Sequence, residues 1–471
     1  MAADKPRSTV DRIKTGSFER RLSLTRAGLF AGTRVAGHYA TNWFGSKERR
    51  EARRSDMLTR QAGLLVEELG KLKGSVVKIG QVMALYGEHF LPPEVTEALH
   101  TLEDQTCSLE WGAIRRTLVQ EMGEKRLAEL VVDEEPIGAA SLGQVHRARR
   151  VEDGLEMVLK VQYPGVADAV DSDLNSVAQM LKIMRVVSFG ADFDEWLEEV
   201  RAMMHREVDY QLEARTTESF RLKLQDDPRF VVPRVVDRYS SPHVIATTYE
   251  SGYSVSSQPV QSLSLERRSA LGVASLELFL SELFIWNEIQ TDPNFGNYRI
   301  RLLEESGTER DQIVLLDFGA VQSYTDRFLD PVREMIRASY EQDLERVIEG
   351  GIALRFMERH WPDEILKRFG EVCMAVLEPL ARKDNIDMPD GAMNGEGAYR
   401  WKQSDLPNRV ARQATRSAIS RYFRVPPKEF VFLNRKLVGV YTFIAVLGAE
   451  FDGEPVLRKY LYGDAGQKRT Q

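Results

Sequence analysis

The chain has 471 residues, of which 43% are hydrophobic and 29% are charged, a balance typical of globular proteins. Its two cysteines, Cys107 and Cys373, form no Cys-x-x-Cys pair or Cys/His cluster, which argues against a disulfide framework and a zinc site. No apolar core follows the first charged residues, so a secretory signal is not expected, and the length predicts about two to four structural units.

The net charge of −7 is unevenly distributed. Residues 1–60 hold 14 Lys and Arg against 6 Asp and Glu, so this part carries +8 and the remainder carries −15. Such a basic arm (residues 1–57) indicates an anionic partner, a membrane surface or nucleic acid, unless it is simply a solvated tail. The stretch that ends at Trp43-Phe44 suits a helix lying on a membrane or one packed on the body.

Residues 58–90 are predicted to be helical, because apolar side chains recur near the 3.6-residue period. Lys78 and Gln81 lie three residues apart and therefore share one helix face. Gly80 weakens a helix by up to about 1 kcal/mol relative to Ala, which indicates close approach to another backbone. Taken alone, Lys78 is an ordinary solvated lysine. The sequence LPPE at 91–94 ends this helix and starts another.

A glycine-rich turn follows at residues 138–145. Gly138, Gly143 and Val145 match the phosphate-loop pattern G-x-G-x-x-G-x-V, with Ala140 in place of the middle glycine. A Cβ at this position limits how closely the backbone approaches a phosphate. The loop is therefore expected to hold a γ-phosphate less productively than a glycine loop would.

A predicted hairpin comes directly after the turn. Gln144–Arg149 and Met157–Val161 have strand composition and flank a turn at Asp153-Gly154. Lys160 lies on the second strand, where a kinase lysine contacts the α- and β-phosphates. A glycine-rich turn alone is weak evidence, but the loop, hairpin and strand lysine together indicate a nucleotide site.

Residues 192–222 are predicted to form one acidic helix. A kinase-like site needs a helix Glu to pair with Lys160, and Glu207 and Glu213 are the candidates. They are six residues apart, which separates them by about 120° around a helix. Two different roles are therefore expected for them.

The remaining chain is predicted to be strand-like over 229–260 and largely helical from 263 onward. Ser251-Gly252 resembles a hinge between lobes, the usual docking place of adenine. A hairpin is expected around 298–317 and a polar loop at 383–404. The apolar run Leu437–Ala449 has 13 residues, fewer than the roughly 20 that a membrane span needs, so it predicts a buried helix.

Two short stretches carry the predicted chemistry, TDPNFGN at 291–297 and LLDFG at 315–319. Asp292 and Asn297 are five apart in an irregular loop, and Asp317 follows a buried strand. Protein kinases use D-x-x-x-x-N followed by D-F-G, one carboxylate orienting the attacking group while the Asn and second Asp hold magnesium. Either motif alone occurs by chance, but their order behind a strand lysine favours phosphoryl transfer.

Taken together, six pieces of the chain resemble the UbiB/AarF-domain atypical kinases, a family linked to coenzyme Q. They are KIGQ (78–81), GAASLGQVH (138–146), VLKV (158–161), EVDYQLEA (207–214), TDPNFGN (291–297) and LLDFG (315–319). This order of KxGQ, alanine-bearing loop and acidic motif is highly specific.

The resemblance implies an α+β fold, a bilobal protein-kinase-like fold with an N-terminal helical KxGQ extension packed over the active site. The expected division is the basic arm at 1–57, the extension at 58–128, an N-lobe with an acidic-helix insert at 129–252 and a helical C-lobe at 253–471. All of these boundaries are predictions.

The resemblance also implies a role for each motif residue. Asp292 takes the catalytic position, Glu213 pairs with Lys160, and Asn297 and Asp317 bind the metal. The nucleotide-binding residues are expected to be Gly138, Ala139, Ala140, Ser141, Gly143, Val145 and Lys160. The regulatory extension is expected to contribute Lys78, Gly80 and Gln81, near Glu207 and Asp209.

The leading functional hypothesis is an ATP-dependent phosphotransferase or ATPase that uses ATP or ADP with Mg²⁺. It would support ubiquinone biosynthesis or lipid handling at a membrane surface. The alternative is a nucleotide-gated lipid-binding chaperone with little phosphotransfer. A conventional protein kinase is disfavoured, because Gln290-Thr291 stand where a His-Arg pair would precede the catalytic Asp and no A-P-E segment is recognisable.

The expected partners are a nucleotide, a lipid or prenyl-quinone intermediate, an anionic membrane surface and ubiquinone-biosynthesis proteins, but no nucleic acid. The expected location is the cytoplasm, with peripheral contact at the inner membrane and no transmembrane span.

Overall fold

A computed structural model describes residues 9–10, 59–60, 63, 66, 75–86, 93–100, 108–139, 142–183, 191–307, 309–382, 388–410, 412 and 428–463. The predictions for the basic arm, apart from Thr9–Val10, and for Ala140 and Ser141 therefore lie outside the described residues. The chain divides into two compact units, one of residues 1–218 and 234–249 and one of residues 219–233 and 250–471.

The first unit contains a five-stranded antiparallel sheet. The strands of this unit are β1 (Thr9–Val10), β2 (Ser108–Leu109), β3 (Leu130–Val132), β4 (Gly138–Ala139), β5 (Gly143–Arg150), β6 (Glu156–Gln162) and β8 (Val244–Thr248). The strand order in the sheet is β3-β5-β6-β8, and β4 pairs with β5 in the predicted phosphate-loop segment, residues 138–145. The predicted hairpin is confirmed as β5–β6, with Val145 opposite Lys160.

Helices make up much of the rest of the described first unit. They are α1 (Ser75–Tyr86), α2 (Pro93–His100), α3 (Trp111–Leu127), α4 (Val166–Ile183), α5 (Ala191–Glu207) and α6 (Tyr210–Leu224), the last of which continues into the second unit. Helix α1 packs against α2, α4 and α5, burying Val76, Val77 and Ile79. The predicted helix at 58–90 is thus confirmed over α1, and the Pro93 start of α2 agrees with the break at LPPE.

The prediction of a single acidic helix over 192–222 is wrong. The chain leaves α5 after Glu207 and starts α6 at Tyr210. Asp209 explains the break, because its Oδ1 accepts a hydrogen bond from the backbone N–H of Leu212, 2.8 Å away, as an N-cap does. Glu207 and Glu213 therefore lie on different helices, and the angle calculated for one continuous helix does not apply.

The second unit contains three small sheets. The predicted hairpin at 298–317 is confirmed as an antiparallel β10–β11 pair that is extended by a parallel β7. The strands are β7 (Phe230–Val231), β9 (Glu288–Gln290), β10 (Tyr298–Arg301), β11 (Gln312–Leu315), β12 (Val321–Ser323), β13 (Tyr399–Arg400) and β14 (Glu450–Phe451). Antiparallel pairing joins β9 to β12 and β13 to β14.

Helices form most of the second unit, as predicted. They are α7 (Gln258–Gln261), α8 (Leu265–Ser281) with a π-helical turn (Glu282–Trp286), α9 (Leu303–Ser306), α10 (Asp326–Tyr340), α11 (Leu344–Ala353), α12 (Asp363–Val376), α13 (Lys428–Leu447) and α14 (Glu454–Tyr462). A cavity of about 100 Å³, lined almost entirely by apolar side chains of α8, α10, α12 and α13, also contains Cys373. Burial raises the pKa of the Cys373 thiol to about 12.

Two helical stretches among the described residues, Leu265–Trp286 and Glu429–Leu447, have the length and composition to cross a membrane. About half of each is buried in the protein, 56% and 44% respectively, and core helices of soluble proteins have the same character. They are therefore weak evidence for a span. The predicted buried helix at 437–449 coincides with the end of α13, where Val440, Phe443 and Ile444 are buried.

Candidate functional site

Lys160 and Glu213 form an ion pair in the first unit. The Lys160 ammonium donates to both carboxylate oxygens of Glu213, at 2.7 Å and 2.9 Å. Glu213 lies in the first turn of α6 and its side chain is only 6% exposed, whereas that of Lys160 is 24% exposed. The structure thus gives Lys160 the partner that the family resemblance implied, and the lysine keeps access to solvent.

Gly143 lies where β5, β6 and the start of α6 meet. A Cβ at this position would lie 2.6 Å from the Val161 carbonyl oxygen and 2.7 Å from the Tyr210 hydroxyl. The Tyr210 ring also lies beside the Lys160 ammonium, 5.3 Å from ring centroid to Nζ. Only glycine fits here, which keeps the end of the phosphate-loop segment close to Lys160.

A buried polar network fixes β5 behind this segment. The Gln144 side chain accepts from the Leu109 backbone N–H at 2.7 Å and lies 2.8 Å from His146 Nε2. His146 Nδ1 lies 2.8 Å from the Asp133 carbonyl oxygen, which assigns the proton to Nδ1 and makes Nε2 the acceptor from Gln144. Burial lowers the pKa of His146, in keeping with this neutral tautomer.

Residues of the KIGQ (78–81) and EVDYQLEA (207–214) motifs also contact each other in the first unit. The Lys78 ammonium lies 2.8 Å from a carboxylate oxygen of Glu207, and both side chains are partly exposed. Gly80 is buried on the same helix and Gln81 is half-buried. Asp209 caps α6, as described above. The two candidate glutamates thus have different lysine partners, so the expectation of two roles agrees with the contacts.

In the second unit, Asp292 is held by its own loop. Its Oδ2 accepts from the Asn297 side-chain amide at 2.8 Å, and its Oδ1 accepts from the Asn294 backbone N–H at 3.3 Å. The Asn294 side chain accepts in turn from the Gly296 N–H at 2.8 Å. The loop therefore presents Asp292 and Asn297 side by side.

The β10–β11 pairing brings Asp317 next to Asn297. The Asn297 carbonyl accepts from the Leu316 N–H at 2.9 Å, one residue before Asp317. Asp317 Oδ1 accepts from the Gly319 N–H at 2.9 Å, and Phe318 is buried against Phe220, with ring centroids 4.9 Å apart. Asn297 comes directly before β10 and Asp317 comes shortly after β11, so these two oxygen-bearing residues lie at the same end of the antiparallel hairpin.

Among the described residues, no three or more His, Cys, Asp or Glu side chains lie close enough together to hold a metal by themselves. Asn297 and Asp317 offer the hard oxygens that Mg²⁺ prefers, and protein magnesium sites of this kind are completed by phosphate oxygens and water. The residues fit a metal that is bound together with a nucleotide.

Three charged residues around the loop at residues 290–297 were not predicted from the sequence. Arg435 Nη2 on α13 lies 3.3 Å from Asp292 Oδ1. Lys436, its neighbour, pairs with Glu282 of the π-helical turn at 3.1 Å, and these two side chains are only 4% and 1% exposed. The sequence contained one signal of these contacts, an Arg-Lys pair inside an apolar helix. Because charged side chains are rarely buried unless they are paired, such a pair indicates acidic partners elsewhere in the chain.

Comparison with known proteins places these residues in a family. Residues 101–350 match the family model of the ABC1 atypical kinase-like domain. The matched range includes the phosphate-loop segment, Lys160, Glu213, Asp292, Asn297 and Asp317, but neither Lys78 nor Arg435.

Two curated relatives are atypical mitochondrial kinases by name. The chain is 30% identical over 392 residues to atypical kinase COQ8 of Schizosaccharomyces pombe, covering 83% of this chain and 61% of the relative. It is 27% identical over 413 residues to atypical kinase coq-8 of Caenorhabditis elegans, covering 86% and 52%. The chain therefore spans between half and two thirds of the length of these relatives.

A solved structure is similar in fold. It is Rv3197 of Mycobacterium tuberculosis in complex with erythromycin, which is 23% identical, has a TM-score of 0.55 and aligns with 89% of this chain and 100% of its own. The expected α+β fold is confirmed by the helices and sheets of both units. The family match covers more than half of the sequence. The chain belongs to the ABC1 atypical kinase-like family, whose relatives include the COQ8 and UbiB proteins.

Proposed function

We propose that this chain binds a magnesium nucleotide and acts as an atypical kinase or ATPase. The observation that carries the proposal is the state of Lys160, which is held by Glu213 at 2.7 Å and is nevertheless 24% exposed. An ordered and accessible ammonium is what a phosphate requires of a binding lysine. The nucleotide is proposed to be ATP or ADP, as the motifs predicted.

Each motif residue has a proposed role. Lys160 binds phosphate oxygens, Glu213 orients Lys160, and the phosphate-loop segment at 138–145 contributes backbone N–H groups. Asn297 and Asp317 hold the metal, which when bound neutralises charge on the phosphates. Asp292 orients the attacking hydroxyl or water and accepts its proton.

We further propose that the reaction supports coenzyme Q biosynthesis, as the kinship with COQ8 proteins suggests. The net charge of +8 over residues 1–60 supports contact with an anionic membrane surface. The phosphoryl acceptor is proposed to be a small molecule or lipid, since the chain lacks the His-Arg and A-P-E features of protein kinases.

A nucleotide-gated lipid chaperone remains the second candidate function. The apolar cavity in the second unit favours it, because such a cavity of about 100 Å³ takes up apolar groups rather than water. ATP turnover separates the candidates. The kinase proposal expects turnover that depends on Asp292, whereas the chaperone expects lipid exchange that depends on nucleotide but not on Asp292.

Nucleotide-induced thermal stabilisation tests the site. Asp317→Asn and Lys160→Met should each abolish the Mg-dependent stabilisation by ATP or ADP, because binding to the folded state raises its melting temperature. Asp330→Asn is a matched control, since Asp330 is an exposed carboxylate on α10 that pairs with Arg333. Undiminished stabilisation in either site variant would remove that residue from the proposed site.

A further inference from the structure

The catalytic loop has no cation of its own. Residues 290–297 read QTDPNFGN, without Lys or Arg. The cation beside Asp292 comes instead from Arg435, 143 residues later in the chain, with 3.3 Å between Nη2 and Oδ1. Each of the two side chains is 31% exposed, so the contact is neither buried nor freely hydrated.

One stripe of α13 follows this loop residue by residue. Arg435, Gly439 and Phe443 are spaced four apart and therefore share one helix face. Arg435 contacts Asp292, a Cβ at Gly439 would collide with the side chain of Pro293, and the Phe443 ring lies 5.9 Å from that of Phe295. Three successive helical turns thus contact three positions of the loop.

The rotation of α13 about its axis is fixed by the neighbouring residue. Lys436 is 4% exposed and pairs with Glu282, which is 1% exposed, at 3.1 Å. Turning the helix would leave two buried charges without each other, at a cost of several kcal/mol. Arg435 is therefore held on the loop side of α13.

Asp292 depends on this contact for part of its orientation. Oδ2 is held by the Asn297 amide at 2.8 Å, but Oδ1 has the Asn294 N–H and Arg435, both at the longer distance of 3.3 Å. Without Arg435, Oδ1 loses its contact with the guanidinium and the carboxylate can rotate about its remaining strong hydrogen bond. A misplacement of about 1 Å at a reacting group can cost about 100-fold in rate.

We propose that Arg435 is a positioning residue for the reaction, which orients Asp292 from the C-terminal helix α13. The proposal rests on the proposed function of Asp292. It assigns to α13 a part in catalysis, although α13 lies outside the matched family range. Arg435 acts through Asp292, so its loss should affect turnover and spare nucleotide binding.

The test is MgATP turnover by the full chain, with nucleotide affinity measured in parallel by thermal shift. Arg435→Met should lower kcat by about 10- to 100-fold, with ATP and ADP affinity unchanged within about twofold. Arg435→Lys should restore part of kcat, because an ammonium can still approach Asp292. Gly439→Ala pushes α13 away from Pro293 and should also lower kcat without loss of affinity, which provides a second variant should Arg435→Met fail to fold.

Arg368→Met is the matched control, because Arg368 is a surface arginine on α12 paired with Glu364 in the same unit. It should keep full turnover. Three results would overturn the proposal: Arg435→Met with the kcat of the unaltered chain, Arg435→Met with a raised kcat as expected of an inhibitory contact, or equal losses of affinity and kcat. Absent turnover in the unaltered chain would instead overturn the proposed function itself, and this proposal with it.

Discussion

Two Lys–Glu pairs of the same chemistry differ in how much water reaches them. Lys160 and Glu213 are 2.7 Å apart in the first unit, and their side chains are 24% and 6% exposed. Lys436 and Glu282 are 3.1 Å apart in the second unit, and theirs are 4% and 1% exposed. In the first pair the carboxylate is buried and the ammonium reaches solvent, whereas in the second pair both charged groups are buried.

This difference supports the proposal of a binding role for Lys160 and a structural role for Lys436. A ligand phosphate can replace or join a partner of Lys160, because the ammonium is accessible. Lys436 offers no such access, so its charge can be satisfied only within the protein. The family resemblance predicted the first pair, whereas the second carries no motif and is recognised by its burial.

The largest expected effect is on stability, at the buried pair of Lys436 and Glu282. Glu282→Gln should lower the free energy of unfolding by about 3–5 kcal/mol, because it leaves the buried Lys436 ammonium without a countercharge. Urea unfolding at neutral pH measures this loss. The double variant Glu282→Leu/Lys436→Met should recover most of the stability, since apolar replacement of a buried pair is close to neutral. A loss below about 1 kcal/mol in Glu282→Gln would contradict the comparison.

The second effect is a pH dependence of the same pair. Burial alone would lower the pKa of Lys436, but its interactions with Glu282 and Tyr298 outweigh burial and raise the pKa of this ammonium above its usual 10.5. A raised folded-state pKa stabilises the protein below pH 10.5 and loses that contribution as the pH rises through the folded-state value. Stability should therefore fall more steeply above pH 10.5 in the unaltered chain than in Glu282→Leu/Lys436→Met, as measured by urea midpoints.

For the accessible pair of Lys160 and Glu213, a substitution should affect nucleotide binding more than it affects stability. Glu213→Gln is expected to cost only about 1–2 kcal/mol of unfolding free energy, because Lys160 can turn toward water. It should nevertheless weaken nucleotide-induced thermal stabilisation, since Lys160 loses its orientation. Equal destabilisation by Glu213→Gln and Glu282→Gln in matched urea titrations would show that exposure does not distinguish the pairs.

The smallest effect is expected at the more exposed pair of Lys78 and Glu207, whose side chains are 24% and 33% exposed. Lys78→Met should change the free energy of unfolding by no more than about 1 kcal/mol, because water screens a surface ion pair. Urea unfolding of this variant and of Glu213→Gln, measured side by side, gives the comparison. A larger loss than in Glu213→Gln would mean that the Lys78 contact has a structural role.

The sequence predicted local structure where a short pattern determines it. The β5–β6 hairpin follows from strand composition around Asp153-Gly154, and the β10–β11 pair follows from the apolar run before Asp317. The single acidic helix was wrong because Asp209 was counted as a helical residue. The hydrogen bond from the Leu212 backbone N–H to its side chain shows instead that Asp209 caps the start of α6. An Asp at the start of a helix is a known N-cap signal, and the sequence contained it.

The partners of charged side chains were harder to predict, because they depend on tertiary contacts. Spacing left Glu207 and Glu213 as equal candidates for Lys160, and the family resemblance rather than periodicity distinguished them. The contact between Arg435 and Asp292 joins residues 143 apart in the chain. No local period carries that information, so the contact between α13 and the loop of Asp292 became visible only in three dimensions.

Cys373, in the apolar cavity of the second unit, provides a kinetic reporter of that unit. Because burial raises the pKa of this thiol, little of it is ionised at neutral pH and alkylation of the folded protein is slow. Any helix opening that admits water restores an ordinary thiol and speeds the reaction. In a Cys107→Ser background, the alkylation rate of Cys373 would measure how often α12 and α13 separate, and on what timescale.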